Sequence, residues 1–194
     1  MIYQKSKAKD ILSDKDKLNK IVSETIDVMA QAVGATLGPG GRPVLIERDG
    51  LSPLATKDGV TVAKSLGLAN SEANIIVDAA KEICINTAKQ AGDGTTTAIV
   101  LANELVKRGQ KFLESNPKYN PQKMINELNY AYSKVIVPFL QYASIPIDEE
   151  EQLKQVATIS ANGDIETAEI VVEAVMAAGD DGTVLINEGQ DAIT

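Results

Sequence analysis

Six residues carry the clearest chemical signal in this sequence: Gly92-Asp93-Gly94-Thr95-Thr96-Thr97, followed at once by the apolar run Ala98-Ile99-Val100-Leu101. One carboxylate sits between two glycines, and three hydroxyls come directly after the second glycine. Glycine lets the backbone turn tightly and lie close to a ligand. Threonines at the start of a helix leave amide N–H groups without intrahelical acceptors at the positive end of the dipole, which suits phosphate. A carboxylate in the same turn would repel phosphate unless a hard divalent cation stood between them, and Mg2+ is the usual ion in that place. The hexapeptide therefore reads in one of two ways. It is a magnesium–phosphate cradle, or it is a helix start that Asp93 or a threonine merely caps.

Three more loops combine glycine with charge or hydroxyl groups. Thr36-Leu37-Gly38-Pro39-Gly40-Gly41-Arg42 joins a helical pattern to a strand pattern, and alone it reads as a Gly/Pro helix stop. Thr56-Lys57-Asp58-Gly59 sets a cation beside an anion in a turn, and alone it reads as a solvated hairpin end. Thr158-Ile159-Ser160-Ala161-Asn162-Gly163-Asp164 is the fourth. No Gly-x-x-x-x-Gly-Lys-Ser/Thr run occurs, which argues against an ordinary P-loop nucleotidase. Asp14-Lys15-Asp16 lacks the glycine and terminal glutamate of a calcium loop. The sequence holds no histidine, which removes Ser-His-Asp and Cys-His chemistry, histidine bases and most zinc sites.

The elements that must hold these loops are mainly helical. After a short lead-in over residues 1–12, Ser13 and Asp16 resemble a capping box. Leu18, Ile21, Val22, Ile26, Met29 and Val33 then recur at helical spacing, predicting a helix to about Leu37. Pro43–Glu47 reads as a strand, Asp49-Gly50 as a hairpin turn into Leu54–Thr56, and 60–66 as a short helix. A long helix is expected from Ser71 to Ala91, with the stripe Ile75, Ile76, Ala79, Ala80, Ile83 and Ala88. Another is expected from Thr95 to about Leu113, and a third starting at Pro121 and broken or kinked at Pro138. Composition changes near Ile145–Glu151, the expected domain boundary, whose acidic run suits the first turn of a solvated helix. Helices at 149–160 and 165–178 and a strand at 182–188 complete the pattern.

At 194 residues, 44% hydrophobic and 24% charged, the chain can bury a core. A net charge of −8 without a long Lys/Arg run argues against nucleic acid. The single cysteine, Cys84, lies between two isoleucines and reads as a buried apolar group in a reducing compartment. No apolar run approaches the ~20 residues of a membrane span, and the first residues lack the apolar core of a signal peptide. A cytoplasmic protein is the expectation, with no membrane partner.

Taken together and in this order, the four loops resemble the group I chaperonins, the GroEL-type heat-shock proteins. The markers are Thr36-Leu37-Gly38-Pro39, Thr56-Lys57-Asp58-Gly59-Val60, Ala91–Ala98 and Ala157-Thr158-Ile159-Ser160-Ala161-Asn162, and they span nearly the whole chain. The resemblance implies a mainly α fold with a small hairpin. Residues 1–142 would be the N-terminal part of the equatorial, ATP-binding domain and 143–194 the first arm of the intermediate domain, without the apical domain. It implies ATP and Mg2+ as cofactors, with Asp93 on the metal and Gly94, Thr95, Thr96 and Thr97 on phosphate oxygens. Thr36, Leu37, Gly38 and Pro39 would wrap the nucleotide, with K+ at the Thr36 backbone. Lys57 would lie near the phosphates, Asp58 would be the catalytic residue that positions the attacking water, and Ile159 would touch the nucleotide. The implied partners are identical subunits in a ring, unfolded client proteins and a co-chaperonin lid. Gly40, Pro43 and Pro138 depart from the usual bacterial pattern, as do residues 67–76 and 145–153. The rival readings are a small-molecule phosphotransferase using Asp58 as base, and a helical oligomerisation module that binds no nucleotide.

Overall fold

A computed structural model of the 194-residue chain describes residues 15–38, 40–161, 163–179 and 181–185. The chain packs as two compact units, Met1–Met124 and Ile125–Thr194, with the division falling inside one helix.

The first unit is built on α1 (Lys15–Gly34), α3 (Ser71–Ala91) and α4 (Thr95–Ser115), with the short α2 (Gly59–Ser65) wedged among them. Helix α1 buries Ile26, Met29 and Val33, a spacing that keeps one face on the core. Val62 and Ala63 of α2, Val77, Ala80 and Cys84 of α3, and Ile99 of α4 close the cluster. Cys84 is fully buried as a free thiol, as its apolar neighbours predicted. Strands β1 (Val44–Arg48) and β2 (Leu51–Thr56) pair antiparallel, Val44 opposite Thr56 and Ile46 opposite Leu54, with a bulge before the Asp49-Gly50 turn. Pro53 is tolerated because, among the described residues, this sheet has only two strands, so one side of β2 lacks a strand partner.

Capping fixes where the helices begin. The Asn70 carboxamide oxygen accepts from the amides of Glu72 at 2.9 Å and Ala73 at 3.4 Å, starting α3. On the surface of the bundle, Asp27 of α1 accepts hydrogen bonds from Asn103 of α4 (3.1 Å), Gln31 (2.9 Å) and the Lys107 ammonium. Those donors, Lys107 foremost, hold the Asp27 carboxyl below its ordinary pKa.

One expectation is corrected here. Helix α3 buries Ala73, Val77, Ala80 and Cys84, whereas Ile75 and Ile83 are exposed at 58% and 38%. The expected stripe wrapped over more than one face. The face of α3 that meets α1 and α4 carries Ala73, Val77, Ala80 and Cys84, and Ile75 and Ile83 lie off it.

Helix α5 (Pro121–Ala131), within which the division falls, leads into a π-helical turn (Tyr132–Ile136) and then α6 (Val137–Ala143) in the second unit. Pro138 sits in the first turn of α6, so the break expected there takes the form of a widened turn just before the proline. Leu128, Tyr132, Phe139 and Tyr142 remain exposed along this run. Helix α7 (Glu150–Ser160) starts with a capping box between Glu149 and Gln152 and packs against α8 (Ile165–Ala178), which Asp164 caps and Gly179 ends. The strand expected at 182–188 does not form over 182–185, where no strand pairs with it among the described residues and Leu185 is 81% exposed. Its remaining residues, the lead-in over 1–12 and the Ser13 cap lie outside the described residues.

Candidate functional site

Helices α3 and α4 meet through three residues, Gly92, Asp93 and Gly94. Gly92 ends α3 at φ 74° and Gly94 opens α4 at φ 83°, both left-handed conformations that a side chain resists. Two such turns in three residues reverse the chain within one loop and leave Asp93 exposed at its tip.

No side chain caps α4. The first bond of the helix runs from the Ala98 amide to the Gly94 carbonyl at 2.9 Å, so the amides of Thr95, Thr96 and Thr97 precede it and lack intrahelical acceptors. The Asp93 carboxylate accepts from the adjacent Gly94 amide at 2.6 Å and from no helical amide beyond it. Of the two sequence readings of Gly92–Thr97, capping by Asp93 or a threonine is not what the structure holds, and the first amides of α4 stay open.

Two of the other loops come to this point. Thr36, at the end of α1, places its hydroxyl 3.3 Å from that of Thr96 and 2.7 Å from the Val33 carbonyl. Beyond it Leu37 and Gly38 are exposed, and the segment folds back through bonds from Gly41 to Gly38 (2.9 Å) and Arg42 to Ala35 (2.8 Å). A Cβ on Gly41 would run into the Thr36 carbonyl, so the fold-back requires glycine there. From the other side Gly59, the first residue of α2, lies directly against the Thr96 hydroxyl. Thr95 is buried, Thr96 is half-buried, and Thr97 faces solvent.

Asp58 has a role that the sequence reading did not assign: it is the N-cap of α2. Its carboxylate accepts from the amides of Val60 (3.2 Å) and Thr61 (2.9 Å) and from the Thr61 hydroxyl. Partial burial works to raise its pKa, but the Thr61 and Val60 hydrogen bonds, aided by Lys64, outweigh it and hold the carboxyl below its ordinary value. The aspartate before Gly59 and the hydroxyl at Thr61 were the available signal, since Asp followed by a short apolar helix is a usual cap. Lys57 is exposed beside it.

Ile159 lies on α7 in the second unit and is 75% exposed. Pro39 and Asn162 lie outside the described residues. Among the described residues no group of three or more carboxylate, histidine or cysteine side chains could cage a metal, and no helix is long and apolar enough to cross a membrane. A lone exposed Asp93 beside an open helix start still fits Mg2+, which is commonly held by one or two carboxylates, substrate phosphates and water.

A helical body with one small hairpin, and two glycine loops meeting at a threonine-rich helix start, is a fold of the chaperonin equatorial class. The chain belongs to the TCP-1/cpn60 chaperonin family, which it matches over residues 29–191. Among solved structures it is similar to the chaperonin gp146 of the Pseudomonas aeruginosa bacteriophage EL 2, crystallised with ATP-BeFx. That match has 29% identity and a TM-score of 0.66 over 81% of this chain and 27% of that one. It also shares its fold with a group III chaperonin in the open state, at 24% identity and a TM-score of 0.67, over 87% of this chain and 33% of the other. The chain thus spans about a third or less of the length of these chaperonins.

Proposed function

We propose that this chain is the N-terminal part of a group I-type chaperonin subunit. It would bind Mg-ATP at the junction of α1, α2 and α4, and serve in a ring of identical subunits that folds non-native client proteins. Residues 1–142 would form the equatorial part and 143–194 the first intermediate arm. The observation that carries this reading is the approach of the Thr36 and Thr96 hydroxyls to 3.3 Å at a helix start that no side chain caps. The gp146 chaperonin was crystallised in the presence of ATP-BeFx, which supports a nucleotide here.

Each residue contributes what its position allows. The amides and hydroxyls of Gly94, Thr95, Thr96 and Thr97 would hold phosphate oxygens, and Asp93 would hold Mg2+. Bound there, the metal would neutralise phosphate charge. Thr36, Leu37, Gly38 and Pro39 would enclose the nucleotide, with K+ at the Thr36 carbonyl, and Lys57 would add positive charge near the phosphates. Asp58, ionised at neutral pH, suits orienting a water by accepting its hydrogen bond better than it suits removing a proton. By the resemblance, Ile159 would also touch the nucleotide. The exposed Leu128, Tyr132, Phe139 and Tyr142 support burial in a larger assembly, whether by the rest of a longer chain, a neighbouring subunit or a co-chaperonin lid.

Calorimetric titration with ATP tests the reading. Binding is expected with Mg2+ and to weaken about tenfold or more without it or in Asp93→Ala, the scale of one lost charge-assisted contact. ATP binding that ignores both magnesium and Asp93 would overturn it.

A further inference from the structure

Gly59 opens α2 without the left-handed backbone found at Gly92 and Gly94, so conformational freedom does not explain a glycine there. Space does. The residue is buried, and a Cβ on it would overlap the Thr96 hydroxyl and come within 3.3 Å of a Val33 methyl. On its far side that hydroxyl meets Thr36. The proton arrangement is set by the partners. The Thr36 hydroxyl lies 2.7 Å from the Val33 carbonyl, which can only accept, so the one Thr36 proton points there. In the contact between the two threonines, Thr96 must then donate and Thr36 accept.

We propose that Gly59 and Thr36 are positioning residues for the Thr96 hydroxyl: the first leaves the room it occupies, and the second fixes where its proton points. This rests on the Mg-ATP reading only in assigning that hydroxyl to a phosphate. A phosphate oxygen that takes the Thr96 proton takes it from Thr36, so occupation of the cradle loosens the link between α4 and the end of α1. Any side chain at position 59 displaces the hydroxyl before the ligand arrives.

The test is a double-variant cycle on the whole chain, with Mg-ATP affinity by calorimetry and thermal melting as readouts. Gly59→Ala and Thr96→Ala are each expected to weaken binding about tenfold. The combined variant should bind no worse than either alone, because both changes remove the same interaction. It should also regain the melting temperature that Gly59→Ala loses, since the hydroxyl that the added methyl would strike is gone. Unchanged affinity in Gly59→Ala, or a combined loss equal to the product of the two, overturns the proposal. If Gly59→Ala alone folds too poorly to titrate, its rescue by Thr96→Ala is expected, and a combined variant that stays unfolded overturns it. Backbone amide shifts in the nucleotide-free chain decide the question separately from ATP binding. Gly59→Ala should move Thr36 and Thr96, and a shift confined to residues 58–60 overturns the positioning role even where Mg-ATP binds.

Discussion

Replacing Asp58 separates two roles that one carboxylate could fill. As the N-cap of α2 it accepts from two amides and a hydroxyl, so Asp58→Ala removes the cap and leaves those donors to solvent. Measured caps of this kind are worth about 1 kcal/mol. For a unit near the size of Met1–Met124 that is a fall of about 3–6 °C in melting temperature. Asp58→Asn keeps an acceptor oxygen in place and should recover most of the loss. The charge also sets a pH dependence. Because the folded carboxyl titrates below its ordinary value, its contribution is complete above the unfolded pKa of about 3.9 and is lost as pH falls through the lower folded value. Circular-dichroism melts at pH 7 and pH 3 should therefore show unchanged protein and Asp58→Ala well separated at the first and closer at the second. ATP turnover by a full-length chaperonin carrying this segment would read the other role. There Asp58→Asn should be as impaired as Asp58→Ala, since an amide does not orient water as a carboxylate does. A variant Asp58→Asn that melts as low as Asp58→Ala would refute the capping argument, and one that hydrolyses ATP normally would refute the water-positioning role.

The packing sets three more expectations. Asp27→Asn weakens the bond to Lys107, so it should melt below the unchanged chain at pH 7, with the difference closing in acid as the native carboxyl protonates. Cys84 is fully buried and burial pushes its thiol pKa up, so a thiol reagent at pH 8 should leave the native chain unlabelled and modify it only in denaturant. Met29→Ala at the centre of the core should lower unfolding free energy by about 2–5 kcal/mol in a urea titration, with a loss under about 1 kcal/mol counting against the assigned core.

The sequence is legible where a residue type has one local use. Glycines marked the ends of α3 and α8, the Asp49-Gly50 turn marked the hairpin, and the position of Pro138 foretold a disturbed helix, whereas α1 ends at Gly34, short of the expected Leu37. The tight loop between α3 and α4 was legible too, because two glycines around an aspartate leave few arrangements. The features that escaped depend on partners distant in the chain. Which face of α3 turns inward is decided by α1 and α4, and Ala73, Val77, Ala80 and Cys84 are buried there while Ile75 and Ile83 are exposed. Gly59 looked like a turn residue, and only the approach of Thr96, far along the chain, reveals it as a space-maker. The Asp27 bridge to Asn103 and Lys107 joins residues more than seventy positions apart and left no local trace.

The joint at Asp93 unites two helices of 21 residues each. At 1.5 Å per residue each is a rod about 30 Å long. Both rods pack on one another and on α1, so the short joint between them is braced by their shared core. Asp93 therefore sits at one end of the pair, a full helix length along the chain from Ser71 on one side and from Ser115 on the other.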